Sequence, residues 1–285
     1  MRVVSLLPAA TEMVAALGAL PRLVGVSHEC DYPPEARALP RVTRTRLDPS
    51  LPSAEIDRAM AAARRTGTPS VEVDVKLIAQ LRPDVILGQS LCEVCAVGES
   101  GLGQLVAALN PTPWVVMLHA HTLDGVLADI RKVGAALNLE DEADEVVAGL
   151  RYRLRKVAAR RPTTHAPTPP RIVVLEWLDP PYVAGHWVPE LVEIAGGRDA
   201  AGRRGERSAA RSWRELSALA PDLVVVALCG FDVARAQQEL AAVTDRDARV
   251  LLGRRVEFMD GNAYTSRPGP RLVDAAEILA RLIAG

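Results

Sequence analysis

The sequence is poor in aromatic residues, in cysteine and in net charge, and each shortage excludes a class of protein. Only 4% of the 285 residues are aromatic, so each Trp, Tyr and Phe is informative. Four cysteines are too few for a disulfide scaffold and are typical of a reducing compartment. A formal net charge of −1 argues against nucleic acid or an anionic membrane as the main partner. No apolar run reaches the ~18 residues of a membrane-spanning helix.

The first residues of the chain predict a cytoplasmic protein. The apolar stretch before Pro8 is only about six residues long, whereas the core of a secretory signal needs roughly 7–15 apolar residues. No small-residue cleavage site follows it. The alternative is that a leader has been removed, which would place the protein in the periplasm or at the cell surface.

Short apolar runs alternate with helical segments along the chain, a pattern typical of parallel strands joined by crossover helices. The predicted strands include residues 3–7, 23–27, 85–88, 114–118 and 171–176. A longer helix is predicted over residues 139–160, because its first turns are acidic and its last turns basic, as the helix dipole favours. Trp114 lies inside a predicted strand and is therefore expected in the core.

The proline-rich stretch 162–170 interrupts this pattern, which then restarts. The segment 81–87 recurs in similar form as 219–225, and such a repeat indicates two similar lobes. The predicted fold is therefore α/β, with two lobes that each have a central parallel sheet flanked by helices, one long rigid helix that joins them, and a ligand cleft between them. The predicted boundaries are 1–120 for the N-terminal lobe, 121–165 for the connecting helical segment and linker, and 166–285 for the C-terminal lobe.

Several stretches carry a resemblance to a known family. They are residues 4–12 (Val-Ser-Leu-Leu-Pro-Ala-Ala-Thr-Glu), 23–33, 81–86, 180–185 (Pro-Pro-Tyr-Val-Ala-Gly), 193–197 and 266–271. On these motifs the sequence resembles the helix-linked (class III) substrate-binding proteins, which serve importers of cobalamin, haem and ferric siderophores. Within that family it is most similar to the vitamin B12 (cobalamin) binding proteins. The resemblance covers both lobes and implies a rigid connecting helix, little lobe closure and no catalysis.

Side chains that follow strand ends are the candidates for ligand contact. An indole or phenol ring suits a broad macrocycle with polar groups at its edge, and an imidazole suits axial coordination of cobalt. The predicted ligand-binding residues are His28, Glu29, Cys30, Gln89, Trp177, Tyr182, His186, Trp187 and Tyr264. Core packing is the alternative for the aromatic rings. His119 and His121 follow a strand at i, i+2 spacing, where helix capping or exposure is favoured over a ligand role.

A cysteine cluster is the candidate metal site. Cys92 and Cys95 form a Cys-x-x-Cys motif after one strand, and Cys30 follows a strand that a doubly wound sheet would place nearby. We expect the three sulfurs within about 8 Å of one another, where they would bind a metal ion or contact the cobalt face. A redox pair, or small residues buried in a turn, are the alternatives. Cys229 is expected to be a core thiol.

The resemblance also implies a partner. Importer-associated members carry a surface glutamate at a helix start in each lobe, which docks onto arginines of the ABC permease. Lys76 and Arg214 occupy these positions here, and the reversed charge weakens the expectation of permease docking. An alignment shifted by a residue would instead place Glu215 in one lobe, and Glu72 or Asp74 in the other, at the docking positions. The resemblance further puts an aromatic residue at position 29, where this sequence has Glu.

Together these observations predict a non-enzymatic protein that binds cobalamin or a related corrinoid in the inter-lobe cleft, as a cytoplasmic carrier or salvage protein. The corrinoid is the expected ligand, and a metal ion is a second candidate. One alternative is a periplasmic or surface substrate-binding subunit of an ABC importer for cobalamin, haem or a ferric siderophore. The other is a metal-binding enzyme or chelatase that uses the Cys/His cluster. The sequence contains no nucleophile elbow or phosphate-binding glycine loop.

Overall fold

The computed structural model describes residues 1–89, 99–160 and 168–285. Its strands are β1 (Val3–Ser5), β2 (Leu23–Val26), β3 (Thr43–Thr45), β4 (Val71–Val73), β5 (Val85–Gln89), β6 (Trp114–Leu118), β7 (Arg171–Leu178), β8 (Pro181–Val183), β9 (Arg198–Asp199), β10 (Ala209–Ala210), β11 (Leu223–Val226) and β12 (Arg255–Phe258). Its α-helices are α1 (Pro8–Ala16), α2 (Ser53–Thr66), α3 (Val75–Leu81), α4 (Glu99–Ala107), α5 (Leu123–Leu137), α6 (Glu140–Ala159), α7 (Val188–Ile194), α8 (Trp213–Ala218), α9 (Val233–Ala241), α10 (Arg246–Leu252), α11 (Gly261–Tyr264) and α12 (Leu272–Ala284). Short 3₁₀ turns lie at Leu20–Arg22 and Pro34–Ala38.

The chain divides into two compact units. The first unit comprises Met1–Leu51, Arg58–Ala120 and Asp124–Gly149, and the second comprises Pro52–Asp57, His121–Leu123 and Leu150–Gly285. The boundary at Gly149 lies inside α6, so this helix contributes to both units. The helix predicted over residues 139–160 is confirmed by α6, whose first turn is acidic and whose last turn carries Lys156.

The first unit is built on a parallel sheet with the strand order β2-β1-β5-β6. Val3, Val4 and Ile86 in its central strands are fully buried, which is why these strands read as continuous apolar runs. β1 is shorter than the strand predicted over residues 3–7, because Pro8 already begins α1. A separate antiparallel hairpin pairs β3 with β4.

The second unit has a mixed sheet with the strand order β10-β8-β7-β11-β12. β7, β11 and β12 are parallel, β8 runs antiparallel to β7, and β10 runs antiparallel to β8. Only Asp179 and Pro180 separate β7 from β8, and so short a connection permits only an antiparallel pair. β7 has a bulge at Glu176, where the register shifts between Leu175 and Trp177.

The predicted α/β fold class is confirmed, with a sheet in each of two units and one long helix common to both. The prediction that Trp114 lies in the core is wrong, since its side chain is 57% exposed. The reason is that Trp114 begins β6, which is the edge strand of the first sheet. Cys229, which was expected to be a core thiol, is only partly buried.

Candidate functional site

Two of the predicted ligand residues lie opposite each other in the second unit. Trp177, near the end of β7, pairs with Tyr182 on β8. Such cross-strand partners present their side chains on the same face, with Cβ atoms about 5 Å apart. Both side chains are partly buried. The Trp177 indole nitrogen is buried and has no hydrogen-bond partner among the described residues, so an acceptor supplied by a ligand would be favourable here.

A chain of contacts leads from Trp177 to the loops that follow β11 and β12. The Trp177 ring lies 5.3 Å from that of Phe231, which follows β11. The Phe231 carbonyl accepts a hydrogen bond of 3.2 Å from the amide of Asn262 in α11. α11 ends at Tyr264, a half-buried ring whose centroid lies 5.8 Å from the Arg271 guanidinium. The link from Phe231 to Tyr264 thus runs through the main chain of α11. We call Trp177, Tyr182, Phe231 and Tyr264 together the aromatic band.

Thr265 connects the aromatic band to a second group of rings. Its carbonyl accepts a hydrogen bond of 2.9 Å from the Trp187 indole. Trp187 stacks on His186 with centroids 5.4 Å apart, and the His186 ring lies 5.5 Å from that of His121. Trp187 is only 3% exposed, so little of its surface remains for the predicted ligand contact. His186 is half-buried and His121 is exposed.

The backbone around His186 is held by the loop 202–208. His186 has a φ of 53°, a left-handed conformation that few residues other than glycine adopt. Its amide donates to the Glu206 carbonyl at 2.6 Å, and its own carbonyl accepts from the Gly205 amide at 2.8 Å. Gly185 permits this close approach, since a Cβ atom there would lie 2.8 Å from backbone atoms of the loop. The main chain therefore fixes the position of the imidazole.

Burial and nearby positive charge keep His186 neutral at pH 7. Desolvation is the larger cause, and with His121 and Arg207 it lowers the pKa of His186 to about 4. The Nδ1 atom of His186 is buried and has no hydrogen-bond partner in the described part of the chain. Arg204, on the same loop as Arg207, is paired with the buried Glu190 at 3.0 Å, whereas Arg207 is exposed.

In the first unit, the predicted residues that follow β2 are tied to their own neighbours. The amide and the Nδ1 atom of His28 both lie against the Thr43 hydroxyl, at 3.0 and 2.8 Å. Arg41 donates to the carbonyls of Ser27 and Cys30, at 3.0 and 2.7 Å. Burial, and then the charge of Arg41, lower the pKa of His28. The turn after β2 is therefore held by hydrogen bonds from the side chains of Thr43 and Arg41.

Cys30 is buried and does not present a thiolate. Its sulfur lies 3.1 Å from the Thr11 hydroxyl, and burial raises the pKa of the thiol. A metal ligand must be deprotonated, so the environment of Cys30 disfavours that role. Cys92 and Cys95 lie outside the described residues, and the proximity of the three sulfurs stays a prediction. No group of three or more His, Cys, Asp and Glu side chains suited to a metal ion occurs in 1–89, 99–160 and 168–285.

Glu29 and Gln89 complete the predicted set in the first unit. Glu29 is exposed and lies in the turn after β2, whereas Gln89 is the partly buried last residue of β5. β2 and β5 flank β1 in the parallel sheet, so both residues lie at the carboxyl edge of that sheet.

The positions that the resemblance assigns to permease docking carry exposed basic side chains, Lys76 on α3 and Arg214 on α8. The carboxylates that a shifted alignment would place there have local roles. Glu215 belongs to the capping box of α8, Asp74 caps α3, and Glu72 pairs with two arginines. The structure therefore gives these carboxylates partners inside the chain.

Three residues of the second unit escape the sequence-based list of site residues. The i, i+2 spacing of His119 and His121 after β6 pointed to a ligand role for His121, but the sequence favoured helix capping or solvent exposure instead. The contact of His121 with His186 joins segments far apart in the chain, and no periodic pattern encodes such a contact. Phe231 contacts Trp177, and the charge of Arg207 lowers the pKa of His186. These interactions also join segments that are distant in the chain, so no periodic pattern predicts them.

Comparison with known proteins identifies a family and several structures of similar fold. A family model described as periplasmic binding protein matches residues 3–248. None of the curated proteins matches this sequence. In the described part of the chain, none of the helices combines the length and apolar character needed to cross a membrane.

Several solved structures share the fold. The periplasmic haem-binding protein RhuT of Roseiflexus sp. RS-1 is 23% identical with a TM-score of 0.70, over 99% of this chain and 97% of that one. A periplasmic haem-binding protein of Pseudomonas aeruginosa is also 23% identical, with a TM-score of 0.74 over 99% and 92%. The periplasmic vitamin B12 binding protein BtuF of Vibrio cholerae is 19% identical, with a TM-score of 0.70 over 99% and 96%. At these identities the likeness establishes the fold alone.

Proposed function

Since this chain belongs to the family of periplasmic binding proteins, we propose that it is the substrate-binding component of an ABC importer and that its ligand is a metal-bearing macrocycle of the haem or corrinoid type. The role is binding and delivery, without a catalytic step. Cobalamin or a related corrinoid remains one of the candidate ligands, and haem is the other. The similar structures named for haem and vitamin B12 support this choice of ligand class.

The aromatic band of the second unit is the observation that carries the proposal. Trp177 and Tyr182 share a face of the sheet and are partly exposed, whereas Phe231 is only 7% exposed and supports Trp177 from the core. Aromatic rings offer broad apolar faces with polar edges, which suit a flat macrocycle with polar substituents. The indole nitrogen of Trp177 has no hydrogen-bond partner among the described residues, so it would donate to such a substituent.

The importer role places the protein outside the cytoplasm. The three similar structures described above are named as periplasmic proteins, and none of them supports the expected cytoplasmic carrier. The proposal therefore follows the importer alternative of the sequence analysis. The exposed Lys76 and Arg214 then require acidic partners on the permease, because basic side chains would repel them.

A titration with four ligands tests the proposal. Purified protein is mixed with haemin, hydroxocobalamin, cobinamide or a ferric siderophore while tryptophan fluorescence is recorded. We expect quenching at micromolar or lower concentration by haemin or a corrinoid, and a coloured complex on gel filtration. Replacing Trp177 with Phe should remove much of the quenching, whereas replacing the exposed Trp114 with Phe should not.

Two results would contradict the proposal. One is the absence of both quenching and retained colour with each of the three macrocycles. The other is tight binding of the ferric siderophore alone, which would keep the importer role and exclude the macrocycle.

A further inference from the structure

We propose that His121 and His186 together form a binding site for a transition-metal ion, in which Arg207 holds an anionic co-ligand. The site uses His121, His186 and Arg207, none of which belongs to the aromatic band, and the inference does not rest on the proposed function. His121, His186 and Arg207 all belong to the second unit. The ligand class is a divalent transition metal, alone or as an open chelate that carries carboxylates.

The spacing of the two imidazoles fits a shared ion. Their centroids lie 5.5 Å apart and their planes are inclined by 41°. Two imidazoles that bind one ion in adjacent positions, with nitrogen-to-metal distances near 2.1 Å, have centroids about 5 Å apart. The observed separation is therefore close to the one that two imidazoles on a common ion would have.

Adjacent positions also decide the class of ligand. In a haem or a corrin, the macrocycle fills the four equatorial positions of the metal and leaves only two axial positions on opposite faces. Two neighbouring imidazoles on the same side cannot both reach such a centre. A free ion, or a chelate with adjacent open positions, accepts both, and imidazole nitrogen suits copper, nickel and zinc.

His186 is prepared for coordination by its surroundings. Its strained backbone at φ 53° is held by two hydrogen bonds to the loop 202–208, and its ring rests on the buried Trp187. A residue kept in such a conformation is a functional candidate. Its Nδ1 atom is buried and has no hydrogen-bond partner within the described residues, so this nitrogen is left for a ligand.

Arg207 supplies the anion-binding part of the site. Its neighbours on the loop have other partners, since Arg203 pairs with Glu206 at 3.7 Å and Arg204 pairs with Glu190 at 3.0 Å. Within the described ranges no carboxylate pairs with Arg207, which directly follows Glu206, whose carbonyl accepts the hydrogen bond from the His186 amide. A guanidinium beside a bound cation would bind a carboxylate that completes the coordination of the metal.

The test uses Cu²⁺ as the probe, on the full chain with Cys92→Ser, Cys95→Ser and Cys229→Ser, so that these three thiols do not bind or reduce the metal. Calorimetry measures affinity, and electron paramagnetic resonance counts the coordinated nitrogens. We expect one Cu²⁺ per chain with two imidazole nitrogens. His121→Ala and His186→Asn should each weaken binding at least tenfold. Asparagine is chosen at position 186 because it tolerates a positive φ.

Matched controls separate this site from general effects. His119→Ala removes an exposed histidine on the same segment and should leave Cu²⁺ affinity unchanged. With oxalate added as co-ligand, Arg207→Gln should weaken binding several-fold, whereas Arg203→Gln should not. Equal Cu²⁺ affinity in wild type, His121→Ala and His186→Asn, or a spectrum with a single coordinated nitrogen, overturns the proposal. Haemin and cobinamide titrations report separately on the macrocycle function, since their outcome does not depend on Cu²⁺ binding.

Discussion

Each unit places a histidine shortly after a strand that flanks β1 or β7, and the two histidines are held differently. His28 follows β2, and its Nδ1 atom lies 2.8 Å from the Thr43 hydroxyl. His186 follows β8, its backbone is bound by main-chain groups of the loop 202–208, and its Nδ1 has no partner within the described residues. The Nδ1 atom of His28 is therefore occupied by a hydrogen bond to a side chain. The position of His186 is set through its main chain, which leaves its Nδ1 atom for a ligand.

Strand direction explains why the two turns differ. β2 is parallel to β1, so its turn lies at the carboxyl edge of the sheet, where neighbouring loops supply side chains. β8 is antiparallel to β7, and the chain after it runs back along that strand, where the Ala184 amide donates to the Val174 carbonyl at 3.0 Å. The His186 turn therefore meets the main chain of a loop, for which Gly185 leaves room.

The largest expected effect on stability comes from filling the space beside Gly185 with a side chain. Gly185→Ala would put a Cβ atom 2.8 Å from backbone atoms of the loop, which cannot move aside as a flexible side chain can. We expect a loss of about 3 kcal/mol in the free energy of unfolding, or displacement of the loop 202–208. Chemical denaturation, followed by near-ultraviolet circular dichroism, measures the effect.

A matched substitution in α6 controls for the effect of alanine itself. A Cβ atom at Gly149 meets no atom within 4 Å, so Gly149→Ala should stabilise the protein by about 0.5–1 kcal/mol through helix propensity. If Gly185→Ala were as stable as wild type, the main chain would not be what positions His186, and the comparison between the two turns would fail.

A smaller loss is expected in the first unit, where side chains hold the turn. Arg41→Ala removes the donors to the Ser27 and Cys30 carbonyls and should cost about 2 kcal/mol. Arg37→Ala is the control, because the exposed Arg37 makes a single bond of 3.1 Å to the Asp31 carbonyl and should cost less than about 0.5 kcal/mol. Similar thermal denaturation midpoints for the two variants would refute the role assigned to Arg41.

Much of the fold could be predicted from sequence, because the central strands are buried on both faces and read as apolar runs. α6 was visible from its charge pattern. β8 and β10 were not, since they are three and two residues long and their direction is set by a tight turn. The exposure of Trp114 was not predictable either, because an apolar run does not reveal that its strand, β6, lies at the edge of the sheet.

The candidate site was predictable only in part. Trp177, Tyr182 and Tyr264 were predicted from motifs, and their role as ligand contacts stays a prediction. The structure pairs Trp177 with Tyr182 and puts the Trp177 ring next to that of Phe231. The contact of His121 with His186 joins loops that are distant in the chain. No propensity or spacing rule predicts such a contact, which depends on the tertiary packing of the loops.

The smallest effect is the pH dependence of stability. The pKa of His186 falls from its ordinary value of 6.5 to about 4 in the folded chain. Between these values the unfolded chain binds a proton that the folded chain does not, so the contribution of His186 is complete above pH 6.5 and is lost as the pH falls toward 4. The ring is half-buried and screened by solvent, so we expect a loss of about 1 kcal/mol.

His186→Asn should remove this part of the acid destabilisation, and the difference between variant and wild type is the quantity to measure. A difference is needed because other groups titrate in the same range. His28 also has a lowered pKa and acts in the same direction, whereas burial raises the pKa of Asp129 and Asp199, whose protonation favours the folded state on acidification. Denaturation midpoints of the two proteins should therefore differ in their slope between pH 6.5 and pH 4. Parallel curves would mean that folding does not lower the pKa of His186, and its burial as a cause of acid destabilisation would then have to be abandoned.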